Sequence, residues 1–238
     1  MNYHVMTLFP EMIETTLGYS ITGRAMAKGV IELDAVNIRD YSQNKTKHVD
    51  DYIYGGGSGM LMQAEPVWLC YKDIIKKIGR SNVRTLYMSP QGRTFDQSMA
   101  KALSHNDDII FLCGHYEGID ERAIELINPV HISLGDFILT GGELASIVMM
   151  DAITRLIPGA LGSDDSATYE TFYNGLLEYP QYTRPPVYEG LKVPDVLLSG
   201  NHKLIEKWRL EKSLERTKEL RPDLYKKHHS QFGDIMVE

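Results

Sequence analysis

Long apolar runs are missing from this 238-residue sequence. A membrane-spanning helix needs about 20 consecutive apolar residues, so no membrane partner is expected. Cysteine is scarce, with Cys70 and Cys113 the two present. Two cysteines exclude a disulfide framework and a four-cysteine zinc site. Both are read as small buried hydrophobes in a reducing compartment. The first residues, Met1-Asn2-Tyr3-His4, lack a basic region followed by an apolar core. No secretory leader is expected, and the compartment is read as cytoplasmic. Nucleotide-binding signatures are absent too. The cluster Gly55-Gly56-Gly57-Ser58-Gly59 is not followed by Lys-Ser or Lys-Thr, and no strand leads into Gly-x-Gly-x-x-Gly. A P-loop hydrolase and a dinucleotide-binding domain are both left without support.

Positive charge is in the minority, with 25 Lys and Arg against 32 Asp and Glu and a net charge of −7. Spread evenly, that balance would disfavour a polyanionic partner. Residues 200–230 break the pattern, with nine Lys or Arg and five Asp or Glu, a local +4 that leaves the remainder at −11. His202, His228 and His229 lie in the same stretch. An acidic body with one basic segment suits contact with a polyanion at that end. A solvated helix face of mixed charge is the plainer reading of the same residues.

What is present is ordinary globular material, 43% hydrophobic and long enough to bury a core. Strand and helix patterns alternate. Strands are expected at 3–9, 31–38, 83–88, 109–113 and 130–134, and helices behind Pro10 and at 21–28, 64–77, 95–103, 121–127 and 143–156. That alternation predicts an α/β fold with a mostly parallel sheet covered on both faces. Residues 42–60 read as a polar loop. After Pro158-Gly159 the composition turns to Gly, Ser, Asp, Thr, Tyr and Pro with no period, which marks a linker or functional loop. A helix is expected over 202–220, stopping at Pro222.

Ligands bind beyond the carboxyl ends of strands in open parallel sheets. Three such ends carry small or polar residues: Met88-Ser89-Pro90-Gln91-Gly92, Cys113-Gly114-His115-Tyr116-Glu117-Gly118, and Leu134-Gly135-Asp136-Phe137-Ile138-Leu139-Thr140-Gly141-Gly142-Glu143. Each alone reads as an ordinary turn. Clustered in one half of a sheet, they suit a small-molecule pocket. The linker adds Arg155, Asp164, Asp165 and Glu170; a carboxylate in a loop that closes over a pocket can act as a base.

The order of these motifs resembles the bacterial tRNA (guanine-N1)-methyltransferase family, TrmD, of the SPOUT class, almost from end to end. Besides the three strand ends, the matching stretches include Thr7-Leu8-Phe9-Pro10, Tyr54 through Met62, Ile119-Asp120-Glu121-Arg122, Arg155-Leu156-Ile157-Pro158-Gly159, Gly175-Leu176-Leu177-Glu178, Pro180 through Pro185, Leu197 through His202, and Trp208-Arg209. The resemblance implies a deep trefoil knot in the N-terminal domain and an obligate homodimer. It implies a knotted S-adenosylmethionine-binding domain over 1–160, a linker over 161–175 and a helical tRNA-binding domain over 176–238. Carried over by motif, the cofactor contacts are Met88, Ser89, Pro90, Gly114, Tyr116, Glu117, Leu134, Gly135, Asp136, Phe137, Ile138, Leu139, Gly141 and Gly142. The tRNA contacts are Arg184, Ser199, Asn201, His202 and Arg209, and no metal ligand is implied, with a requirement for Mg2+ left open. The target is the guanosine at tRNA position 37, beside the anticodon. This chain has Glu170 where the family usually has Asp, Ala145 where it often has Pro, and Phe137 where it usually has Tyr.

Guanine N1 becomes a good nucleophile once its proton leaves, so the chemistry needs a base near N1 and a cation near O6. The resemblance gives these roles to Glu170 and Arg155. The rivals are another SPOUT enzyme that methylates ribose or ribosomal RNA, and a non-catalytic RNA-binding relative that keeps the fold.

Overall fold

The structure, a computed structural model, describes residues 1–162, 171–172 and 174–232, with no side-chain description at 231 and 232. The chain divides into two compact units, Met1–Ser163 and Asp164–Glu238. The first unit runs β1 (Asn2–Thr7), α1 (Pro10–Leu17), α2 (Ser20–Ala27), β2 (Glu32–Asn37), a 3-10 turn (Ile38–Tyr41), β3 (Asp50–Tyr52), β4 (Met60–Met62), α3 (Ala64–Ile78), β5 (Arg84–Thr94), α4 (Gln97–Leu103), β6 (Asp108–Leu112), α5 (Glu121–Ile127), β7 (Val130–Ser133) and α6 (Glu143–Thr154). The second holds β8 (Val187–Tyr188), β9 (Leu191–Lys192), α7 (Asp195–Leu198), α8 (His202–Leu220) and α9 (Pro222–Phe232).

Five strands form one sheet in the order β2-β1-β6-β5-β7, and every pairing is parallel. The apolar run Ile109-Ile110-Phe111-Leu112 sits near its middle, fully buried, as a strand covered on both faces must be. Its alternate residues feed two cores. Ile109 and Phe111 join Tyr3, Val5, Leu86 and the apolar sides of α1 and α6, while Ile110 and Leu112 join Met6, Met62 and the apolar sides of α3 and α5. Local chemistry fixes the helix ends. Pro10 opens α1. Asp96 accepts the Met99 amide at 2.8 Å to start α4. Gly79, left-handed at φ 77°, closes α3 behind Lys76 and Lys77.

The structure departs from the sequence reading at four places. Residues 42–60 are not all loop: β3 and β4 pair antiparallel, Asp50 opposite Met62. β5 runs six residues past Met88. Met88 and Arg93 both face Ile132 on β7, so Ser89–Gly92 leave the ladder and return to it. A Cβ on Gly92 would lie 2.3 Å from the Ile132 nitrogen, so only glycine permits that return. Pro222 does end α8, but it also opens α9. Finally, β8 and β9 form a small hairpin beyond the linker.

Candidate functional site

The carboxyl ends of β6, β5 and β7, three neighbours in the sheet, open into one cavity of about 330 Å³. Met88, Ser89, Pro90 and Gln91 come from the excursion of β5, residues 114–118 from the loop after β6, and Leu134, Gly135 and Phe137 through Gly142 from the segment after β7. Ala145 on α6 closes it. Such a volume is at the low end for small-molecule sites.

Bare backbone makes these walls. A Cβ on Gly142 would lie 2.7 Å from the Cys113 Cα and 3.1 Å from the Gly114 nitrogen. The Gly142 amide donates to the Gly114 carbonyl at 3.0 Å, tying the third segment to the second. A Cβ on Gly114 would meet the Tyr87 ring at 3.1 Å. Tyr116 is held left-handed at φ 59° within a turn closed by the Gly118 amide on the His115 carbonyl. The β3–β4 hairpin props this turn from behind: the Glu117 amide donates to Met60, and the Met62 amide to the Gly118 carbonyl, both at 3.0 Å.

Beside the cavity, Glu143 opens α6 with its side chain almost fully buried. One carboxylate oxygen accepts the Thr7 hydroxyl, and the other lies 2.6 Å from His115 Nε2. Burial, and then the nearby Glu143 charge, pushes the Cys113 thiol well above its ordinary range. Burial likewise raises the Tyr87 hydroxyl. Neither is a ready nucleophile. The outer lip is apolar and open to solvent, with Phe137 54% and Ile138 80% exposed.

Thirteen of the fourteen residues expected around the cofactor line this cavity; Asp136, exposed on the 134–142 segment, does not. Arg155 caps the C-terminal end of α6. Glu170, with Asp164 and Asp165, lies outside the described residues. In the second unit Arg184 lines a groove with Tyr182, Pro185, Pro186, Val193, Leu197 and Leu198. The Ser199 hydroxyl accepts the Asn201 amide, and the Asn201 side chain caps α8 by accepting the Leu204 amide at 3.3 Å. His202 opens that helix, exposed, and Arg209 stands 4.9 Å over the Tyr179 ring. Among the described residues, no group of three His, Cys, Asp or Glu could hold a metal ion, and no helix is long and apolar enough to cross a membrane.

The sequence reading assigned no role to His115, Tyr87, Gln91, Thr140 or Glu143. His115 and Glu143 stand in quoted motifs, but 28 positions separate them. No spacing rule joins a loop to a helix start across that distance.

Comparison with known proteins shows the family. The profile of a family described as tRNA (Guanine-1)-methyltransferase TrmD matches residues 1–227. A protein of Lachnospira eligens named tRNA (guanine-N(1)-)-methyltransferase is 58% identical over 236 residues, covering 98% of this chain and 100% of the relative. Proteins of the same name from Clostridioides difficile and Ruminiclostridium cellulolyticum are each 55% identical over 227 residues, covering 95% of this chain and 98% and 97% of theirs. Matched from its first residue into α9, the last helix of its C-terminal unit, the chain belongs to the tRNA (guanine-1)-methyltransferase family.

Proposed function

We propose that this protein transfers the methyl group of S-adenosylmethionine to N1 of the guanosine at position 37 of tRNA. The observation that carries the reading is the cavity: three strand-end loops meet there, packed together through glycines at which a Cβ would collide with the neighbouring chain. A flat base with a short polar tail fits such a place, held by main-chain groups of 114–117 and 134–142 and by the apolar sides of Met88, Leu134 and Ile138.

When bound, S-adenosylmethionine supplies a methyl group already joined to a good leaving group, so the protein needs no nucleophile. Glu170 takes the N1 proton, and Arg155 balances the charge that gathers on O6. The rest of the task is alignment of the target base with the donor. No protein ligand is assigned to Mg2+. Arg184, Ser199, Asn201, His202 and Arg209 are assigned to the tRNA, on a unit that exposes the charged face of α8. A position beside the anticodon suits this mode, because unstacked loop bases can be splayed out and read singly.

Three further parts belong to the reading. The domains are 1–160 for the donor, 161–175 for the base and 176–238 for the tRNA. The N-terminal domain is knotted: after edge strand β7 the chain passes the ends of β5 and β6, ties Gly142 to Gly114, and then packs α6 against Tyr3 and Thr7 of β1. The protein is a homodimer, with the interface on the open side of α6. There Leu144 and Val148, one helical turn apart, are 47% and 51% exposed, and Phe9 and Met12 are exposed beside neighbouring α1. The test is methyl incorporation into tRNA transcripts carrying G, A or C at position 37, with and without Mg2+. Methylation confined to G37 supports the reading; equal incorporation into all three contradicts it.

A further inference from the structure

We propose that His115 and Glu143 form a positioning pair, fixing two walls of the cavity relative to each other: the 114–118 loop and the 141–142 turn. The inference rests on the donor reading of that cavity.

Glu143 is 2% exposed. A carboxylate buried so deeply is costly unless hydrogen bonds satisfy it, so its partners are structurally specified. His115 Nε2 lies 2.6 Å from one oxygen, and the Thr7 hydroxyl donates to the other at 2.6 Å. The Thr7 oxygen in turn accepts the Phe9 amide at 2.9 Å. A hydrogen-bonded chain therefore runs from the cavity wall through the start of α6 to the end of β1. The first turn of α6 adds its own preference for a negative charge.

His115 has little room to move. A Cβ on Gly141 would lie 2.3 Å from its Cε1, so the ring packs on bare backbone, while Phe9 meets it edge-on at 5.1 Å. Its amide donates to Met62 Sδ at 3.3 Å. The main chain of His115 is thus fixed to β4 and its ring to α6. His115 lines the cavity and Glu143 does not, so Glu143 acts through His115.

Losing the pair loosens both walls before the donor arrives. That lowers donor affinity and leaves the chemical step near normal, because ground state and transition state lose the same support. In His115→Ala, the Kd and KM for S-adenosylmethionine should rise about 10–100-fold, the worth of one hydrogen bond to a charged group. The kcat and the KM for tRNA should change little. His115→Gln, whose amide nitrogen reaches about as far as Nε2, should recover most of the affinity. Thr7→Val, which keeps the side-chain shape, should weaken binding in the same direction and serves if His115→Ala does not fold.

Calorimetry with S-adenosylmethionine reads affinity, and amide hydrogen exchange of the ligand-free protein reads the walls. Failure of the wild type to bind would overturn the donor reading. The pair is tested separately by exchange, which should quicken in both 114–118 and 140–143 when His115 becomes Ala. Exchange that quickens in the first segment alone, unchanged affinity in His115→Ala, or no rescue by Gln would overturn the pairing.

Discussion

At Gly142 two main chains touch, and the missing side chain is what permits it. The Cys113 Cα and the Gly114 nitrogen stand where a Cβ would go, and neither belongs to a flexible tip. Gly142→Ala must move one backbone or the other, which spreads the cavity. Donor affinity should fall at least about tenfold, ~1.4 kcal/mol, in a protein that still folds; calorimetry showing wild-type affinity would contradict this. Glu170 raises a different question, since the family usually has Asp there. The two carboxyls have similar ordinary pKa values, near 4.3 and 3.9, so the exchange preserves the chemistry but lengthens the reach by one methylene. A displacement of ~1 Å can cost on the order of a hundredfold in rate. Glu170→Gln should therefore lose about 10²–10⁴-fold in single-turnover methyl transfer, and Glu170→Asp should also be impaired. Near-normal turnover by Glu170→Gln would pass the role of base to Asp164 or Asp165.

Among the elements, α9 offers a pH test. His228 is buried on it, with its ring 3.9 Å from where a Cβ on Gly175 would be. Burial, and then the neighbouring His229, lowers its pKa below the ordinary value near 6.5. The fold thus prefers neutral His228. Its contribution is complete above that ordinary value and declines as pH falls through it toward the folded pKa. Unfolding followed at Trp208, with Trp68 replaced by Phe, should show the second unit weakening below about pH 6.5, and less so in His228→Asn. An identical pH dependence in both would contradict the account. Short elements of both units also mark the limit of what sequence reveals. The main strands were legible because continuous apolar runs such as 109–112 have few other homes in an α/β fold. β8 and β9 are two residues each, and β3 and β4 three, too short for any period to register. The excursion of β5 was hidden because Pro90 and Gly92 punctuate it like an ordinary turn. The strand-end loops each read as a turn and pointed to a pocket only together; the order β6-β5-β7 that brings them together was not legible, and the His115–Glu143 bond depends on where α6 begins.

For the molecule as a whole, assembly and chemistry are tested apart. Leu144 and Val148 present an apolar face on α6 that a second copy would cover, so Leu144→Asp with Val148→Asp should convert a dimer into a monomer by light scattering. A wild-type protein that is monomeric and fully active would defeat the dimer. The central claim is the atom that receives the methyl group. Wild-type tRNA transcript methylated by this protein should be digested to nucleosides and separated by mass spectrometry. The account predicts 1-methylguanosine, arising from position 37 alone. A 2′-O-methylated nucleoside, or no methylated nucleoside from a protein that binds S-adenosylmethionine, would contradict it.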